Sequence, residues 1–139
     1  MLVFDKMLLL RLLFFISPLL ILFSGSCATI DTGLYDDGPY IVSTYPSSGD
    51  FNISKYTDIS IRFSEEMDPG TESGFDLLAQ GVRIDGTLRW LDSNTVLVFR
   101  PYNQLGVNTF YQCIIKQGKS KEGKYLVGVP YVWMFTIGN

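Results

Sequence analysis

Hydrophobic and polar residues alternate most regularly between positions 58 and 64 of the chain. Ile59, Ile61 and Phe63 fall on one side of an extended backbone, and the polar residues between them fall on the other. This period of two predicts a strand with one buried face and one solvated face. Residues 65–68, Glu-Glu-Met-Asp, follow directly, and we interpret them as an acidic turn.

Short apolar or alternating runs, separated by turn residues, continue through the rest of the chain, and none has the period of an amphipathic helix. The dipeptide Asp85-Gly86 is typical of a hairpin turn before the next strand. The predicted strands cover residues 40–45, 58–64, 75–84 with a break at 80–81, 87–90, 95–100, 109–116 and 131–137. About seven strands in about 100 residues predict an all-β fold, a single immunoglobulin-like β-sandwich.

Alternation within these strands also selects the inward-facing residues. Tyr111 follows Leu105 by six residues, which suits a tyrosine corner, where the phenol caps backbone near a strand crossover. Cys113 has no cysteine partner in the strand at 58–64, so we interpret it as a small buried hydrophobic residue. The predicted inward set is Ile59, Ile61, Phe63, Leu97, Phe99, Tyr111, Cys113, Ile115, Trp133 and Phe135.

Several motifs occur in a characteristic order along the same region. They are Tyr45-Pro46 with Gly49, Phe63-Ser64-Glu65-Glu66-Met67-Asp68, Gly86-Thr87-Leu88-Arg89-Trp90, Leu97-Val98-Phe99-Arg100-Pro101, Leu105 with Tyr111, and Trp133-Met134-Phe135-Thr136. This series resembles the SbsA-type bacterial Ig-like domain (Big_5-like) of secreted and cell-wall proteins, over residues 40–138. The resemblance implies a noncatalytic module. Residues 121–124, Lys-Glu-Gly-Lys, depart from the family's frequent Asp-x-x-Gly-Asn, so no function of that loop is carried over.

The first residues of the chain have the features of a secretory signal. Lys6 and Arg11 flank the start of an apolar run over residues 12–23. As a helix this run would be about 18 Å long, which is shorter than the bilayer core of about 30 Å. A cleaved signal peptide therefore fits these residues better than a membrane-spanning helix.

The apolar run ends in Ser24-Gly25-Ser26-Cys27, which resembles the lipobox of bacterial lipoproteins. The resemblance implies cleavage before Cys27 and acylation of its thiol, with palmitate as one acyl chain. Two or three chains would hold the protein firmly on a membrane. Ser24 departs from the usual leucine, and an ordinary cleavable signal is the alternative.

The predicted organisation therefore has three parts. Residues 1–26 form a lipoprotein signal peptide, residues 27–39 hold the acylated cysteine and a flexible tether, and residues 40–139 form the Ig-like domain. Ala28 after the cysteine favours the outer membrane of the bacterial cell envelope over the inner membrane. We expect a lipid-anchored protein, on either the periplasmic or the surface face.

Charge and composition exclude several classes of function. The net charge is −3, and removal of residues 1–26 would change it to −4, so the chain lacks the basic character of a nucleic-acid-binding protein. The chain contains no histidine, which excludes histidine-based triads and histidine metal sites. We predict no catalytic residues and no cofactor.

The acidic turn offers candidate ligands for a metal ion. Glu65, Glu66 and Asp68 supply oxygen atoms at the close spacing that Ca²⁺ prefers. They do not form the Asp-x-Asp-x-Asp-Gly loop of calcium sites, so the alternative is a solvated turn. In that alternative Asp68 caps the turn through a nearby amide, and Met67 closes one end of the sandwich.

The outer face of the last two predicted strands is unusually apolar. If Tyr111 and Trp133 point inward, then Phe110, Ile114, Val132 and Met134 point outward. Four adjacent outward apolar residues predict an interaction strip for another protein. The alternative is a strip that the tether or the loop at 117–130 covers.

Two further features suggest ligands of other kinds. Tyr40, Tyr56, Tyr102, Tyr125 and Tyr131 offer surfaces on which sugars stack, although tyrosines are also common on sandwich rims. Four lysines, at positions 116, 119, 121 and 124, make a basic loop that is either solvated or in contact with an anionic envelope component. The sequence therefore predicts a membrane-anchored protein that contacts an envelope or extracellular protein or has a structural role, with glycan binding as the alternative.

Overall fold

The computed structural model describes residues 37–139, where strands form largely where the alternating runs predict them. The strands are β1 (Ile41–Tyr45), β2 (Ile59–Phe63), β3 (Phe75–Ala79), β4 (Val82–Arg83), β5 (Gly86–Leu91), β6 (Val96–Pro101), β7 (Phe110–Ile115) and β8 (Tyr131–Thr136). They form two antiparallel sheets, sheet A in the order β1-β2-β6-β5 and sheet B in the order β4-β3-β7-β8. The prediction of an all-β, immunoglobulin-like sandwich is confirmed.

The core lies between the two sheets, and all ten predicted inward residues are buried in it. β2 and β6 line it from sheet A, and β3, β7 and β8 line it from sheet B. Met67 is fully buried in the same cluster, as the interpretation of the acidic turn expects. Alternation therefore identified much of the core, because both sheets bury one face, but the predicted set did not include Phe75 and Leu77 of β3.

The predicted tyrosine corner is also confirmed. The Gly106 backbone N–H donates a hydrogen bond of 2.7 Å to the Tyr111 hydroxyl, one residue beyond Leu105. The Tyr111 ring stacks on Phe135 with 5.6 Å between the ring centroids. Cys113 is a free, buried thiol, and its burial raises its pKa well above the ordinary range, so it stays protonated.

The hairpin predicted at Asp85-Gly86 is wrong. β4 pairs with β3 in sheet B, whereas β5 pairs with β6 in sheet A, so these two residues carry the chain from one sheet to the other. Gly86 is needed there because a Cβ atom would collide with the Phe99 ring and the Arg100 carbonyl. Tight turns form instead at 80–81, between β3 and β4, and at 92–94, between β5 and β6, with positive φ throughout.

A short 3₁₀ helix, Pro69–Gly74, follows the acidic turn. Six residues are too few to show a helical period in the sequence, which is why the alternation did not predict it. Asp68 caps it, since its carboxylate accepts a hydrogen bond of 2.9 Å from the Gly70 N–H. Across residues 37–139 no helix has the length and apolar character to span a membrane.

Candidate interaction surfaces

The four residues of the predicted interaction strip lie on the outer face of β7 and β8 in sheet B. Ile114 pairs directly with Val132 across the two strands. Phe110 is 70% exposed, Met134 is 50% exposed and Val132 is 45% exposed, while Ile114 is half-buried. The loop at 117–130 therefore leaves these side chains accessible. Two polar residues interrupt the strip, at the positions opposite Met134 and Phe110: Gln112 and Thr136.

A charged group borders the strip on β3. Asp76 lies opposite Ile114 in the register of the sheet. Its carboxylate forms ion pairs with Lys116 and, at 3.3 Å, with Arg83. Because two cations share one carboxylate, this border of the strip has an excess of positive charge.

The three carboxylates of the acidic turn do not converge. Asp68 caps the 3₁₀ helix, and Glu66 forms an ion pair with Lys121 at 3.0 Å. Glu65 is half-buried, and no ion pair involves it within the described residues. Nowhere in residues 37–139 do three His, Cys, Asp or Glu side chains come close enough to hold a metal ion.

The tyrosines and the lysines of the other two predicted features are dispersed. Of the five tyrosines, only Tyr56 and Tyr102 line the same concavity, and Tyr45 joins them there. Three of the four loop lysines form ion pairs at separate places, and Lys119 lies 4.6 Å from the centre of the Tyr125 ring. The lysines therefore do not form one cationic surface.

An open groove of about 770 Å³ covers the outer face of sheet A. Its floor includes Val96 and Val98 of β6, which point away from the core and are nevertheless only 8% and 5% exposed. The register places Val98 between Ser60 of β2 and Arg89 of β5. Arg62 of β2 lies opposite Val96, so long arginine side chains border these two valines from both neighbouring strands.

The groove is cationic although the chain as a whole is acidic. Its charged lining comprises Lys55, Arg62, Arg89, Arg100, Asp58 and Asp92. Arg100 donates two hydrogen bonds to Asp58, at 2.9 and 2.7 Å, and Arg89 lies 3.9 Å from the same carboxylate. The hydrogen bond from Arg100, supported by the charges of Arg100 and Arg89, outweighs desolvation and lowers the pKa of Asp58.

The groove was not predicted from the sequence, although the chain carries a signal for it. Arg62, Arg89 and Arg100 each occupy an outward position in a predicted strand, next to inward apolar residues. Taken alone, an outward arginine is an ordinary surface residue. Only the pairing of β2, β6 and β5 brings the three together. The predicted lipidation site, Cys27, lies outside the described residues.

Residues 36–137 match the family of bacterial Ig-like domains named Big_5. The chain belongs to this family. Big_5 domains are a noncatalytic type of module, as the motif series implies. A search of the curated proteins found no relative of the chain.

Solved structures share the fold at low sequence identity. The bacterial S-layer protein SbsC is 17% identical, with a TM-score of 0.54, over 73% of this chain and 14% of SbsC. CopC from Methylosinus trichosporium OB3b is 18% identical, with a TM-score of 0.58, over 72% of this chain and 93% of CopC. An L,D-transpeptidase from Mycobacterium smegmatis is 13% identical, with a TM-score of 0.55, over 72% and 40%. The chain thus spans only a small part of the S-layer protein, and these similarities concern the fold alone.

Proposed function

We propose that this chain is a lipoprotein of the bacterial cell envelope that contacts another protein through the interaction strip. The observation that carries the proposal is the exposure of Phe110, Val132 and Met134 on one sheet face. Adjacent exposed apolar side chains are unfavourable in water and mark contact surfaces. The membrane connection rests on acylation of Cys27, which would hold the Ig-like domain at the outer membrane.

The charge at the border of the strip indicates what kind of partner fits. Arg83 and Lys116 share the single carboxylate of Asp76, so a partner with an apolar centre and an acidic edge would complement this face. The domain itself is proposed to be nonenzymatic. Its family type and the lack of histidine in the chain both support this.

Copper binding is not proposed for this chain, although its fold is similar to that of PcoC, a methionine-rich copper resistance protein from Escherichia coli. Histidine is absent from the sequence, and of the two methionines in residues 37–139, Met67 is buried in the core. Met134 lies on the outer face of sheet B instead. These two residues would not meet at one metal ion.

The strip is tested by photo-crosslinking in living cells. A photoreactive phenylalanine at position 134 should give one defined crosslinked product with another protein. Val132→Lys should abolish that product, since a lysine would place a charge at the centre of the contact. Val82→Lys is the matched control, because Val82 is also an exposed valine of sheet B but lies on β4, the opposite edge strand.

Three results would contradict the proposed contact. They are no product, equal loss of product in the Val132 and Val82 variants, and a product that contains only a second copy of this chain. The anchor is tested separately by a mass spectrum of the Cys27 peptide and by proteolysis of intact and lysed cells. An unmodified Cys27 would contradict the lipid anchor while leaving the strip experiment valid.

A further inference from the structure

The groove on sheet A combines a shielded apolar floor with cationic walls. Val96 and Val98 lie outside the hydrophobic core cluster yet are almost completely covered. Around them, Tyr45, Tyr56 and Tyr102 are all more than half exposed and line the same groove. A ligand in the groove would therefore meet aromatic faces and charge together, above a covered valine floor.

The charges in the groove are not balanced. Four cationic side chains line it, against the carboxylates of Asp58 and Asp92. Arg100 already uses both oxygens of Asp58, and Arg62 lies 3.3 Å from Asp92. Arg89 is left with a distant contact of 3.9 Å and an exposed guanidinium. A guanidinium group matches a carboxylate through two parallel hydrogen bonds, so the groove is suited to an anionic ligand.

The position of the groove favours a saccharide over an acidic peptide. Its floor is the middle of a sheet, where the backbone groups of β2 and β6 already bond to neighbouring strands. A peptide would find no strand edge there to pair with. Sugar hydroxyls need donors and acceptors from side chains, which Ser60, Asn103 and Gln104 provide in the lining.

We infer that the groove on sheet A binds a carboxylate-bearing oligosaccharide, with Arg89 as the principal contact to the carboxylate. The tyrosines would stack on the sugar rings, and the Asp58 carboxylate, which Arg100 and Arg89 share, would position Arg89. This site is independent of the interaction strip, because it lies on the opposite sheet. The two functions can therefore fail separately.

The test is calorimetric titration of the purified full-length protein in detergent with two uronic-acid tetrasaccharides, tetragalacturonate and tetramannuronate. At least one should bind, with an affinity that falls as salt concentration rises. The methyl ester of the same tetrasaccharide has the same rings without the charge and should bind at least about tenfold more weakly, because a charge-assisted pair is lost.

Two matched variants identify the arginine. Arg89→Gln should weaken binding by about tenfold or more, whereas Arg83→Gln, which removes another exposed arginine, from sheet B, should leave the affinity unchanged. Unchanged melting temperatures in both variants would show that the effect is not one of folding. Tyr56→Ala should also weaken binding, since it removes a stacking surface.

Several outcomes would overturn the inference. They are no binding of either tetrasaccharide, equal binding of the ester, and equal losses in the Arg89 and Arg83 variants. Tetraglutamate provides the remaining test, because it carries comparable charge on a peptide. If tetraglutamate bound as tightly as the saccharides, the groove would be a general anion or peptide site and the saccharide assignment would be wrong.

Discussion

The two sheets of the sandwich share one core but present different outer faces. On sheet B, outward positions carry apolar side chains such as Phe110 and Met134, which are open to solvent. On sheet A, outward positions carry Arg62, Arg89 and Arg100, and the valines between them are covered. The strands of both sheets alternate inward and outward residues in the same way. Their outward residues nevertheless form an apolar surface on sheet B and a cationic groove on sheet A.

This difference shows that an outward position in a strand is not always a solvated one. Val98 and Val132 both point away from the core, yet Val98 is almost buried and Val132 is half exposed. Val98 lies on a central strand, with Ser60 of β2 and Arg89 of β5 opposite it, whereas β8 is an edge strand. Position in the sheet decides exposure as much as the direction of the side chain does.

The largest loss of stability is expected from a substitution in the core that the two sheets share. Trp133 is fully buried, and its indole N–H donates a hydrogen bond of 3.0 Å to the carbonyl of Pro46, next to sheet A. Trp133→Ala should lower the free energy of unfolding by about 3–5 kcal/mol, because it leaves a large cavity. Urea unfolding followed by circular dichroism measures this change.

A substitution of an exposed aromatic residue provides the control for that experiment. Tyr102→Ala, on the rim of the groove, should change the free energy of unfolding by less than about 0.5 kcal/mol. If Trp133→Ala cost less than about 1 kcal/mol, the two faces would not rest on a common core.

A matched pair of valines tests the comparison directly. Val98→Ala should cost about 1–2 kcal/mol, because two methyl groups leave a covered site, whereas Val132→Ala should cost less than about 0.5 kcal/mol. Thermal or urea unfolding of the two variants, measured side by side, gives both values. Equal costs would mean that the groove floor is as solvated as the strip.

A smaller effect is expected from the tyrosine corner, which supports β7 beneath the strip. Tyr111→Phe removes the acceptor of the Gly106 N–H but keeps the ring stacked on Phe135. We expect a loss of about 1 kcal/mol, because Gly106 is exposed and water can replace the hydroxyl. The melting temperature measures it. An unchanged melting temperature would show that the hydrogen bond contributes no stability.

Most of the fold could be predicted from the sequence, because strands with one buried face show their period directly. Ile59, Ile61 and Phe63 are one example, and Cys113 and Ile115 of β7 are another. The error at Asp85-Gly86 has a different origin. Turn residues predict that the chain changes direction, but not which strands pair afterwards. In this protein the change of direction leads to the other sheet.

The candidate surfaces could be predicted only in part, for a related reason. The strip follows from alternation within two strands that are neighbours in the sheet, so the sequence contained enough information to define it. The groove also depends on β2, which contributes Arg62 and is distant in the chain from β5 and β6, the strands that contribute Arg89 and Arg100. Sequence spacing does not reveal which outward residues face each other across such pairs.

The smallest effect on stability is expected from Asp58, on the groove side, and it depends on pH. Asp58, beneath the arginines of the groove, has a pKa below the ordinary aspartate value of about 3.8 because Arg100 and Arg89 stabilise its charged form. A lowered pKa in the folded state stabilises the protein above the unfolded value, and this contribution is lost as the pH falls through the folded value. Asp58→Asn should therefore remove part of the acid sensitivity below about pH 4.

The size of this effect is limited by solvent, since Arg100 is well exposed. We expect Asp58→Asn to lower the free energy of unfolding at pH 7 by about 0.5–1 kcal/mol, with the difference from the wild type shrinking towards pH 2. Asp85→Asn is the charge-matched control, because it removes the same charge from an aspartate that has no ion pair within residues 37–139. An Asp58→Asn profile parallel to that of the wild type would show that the carboxylate is not held by its arginines. Asp58 would then not hold the arginines of the groove in place, and the two faces would differ only in their residue types.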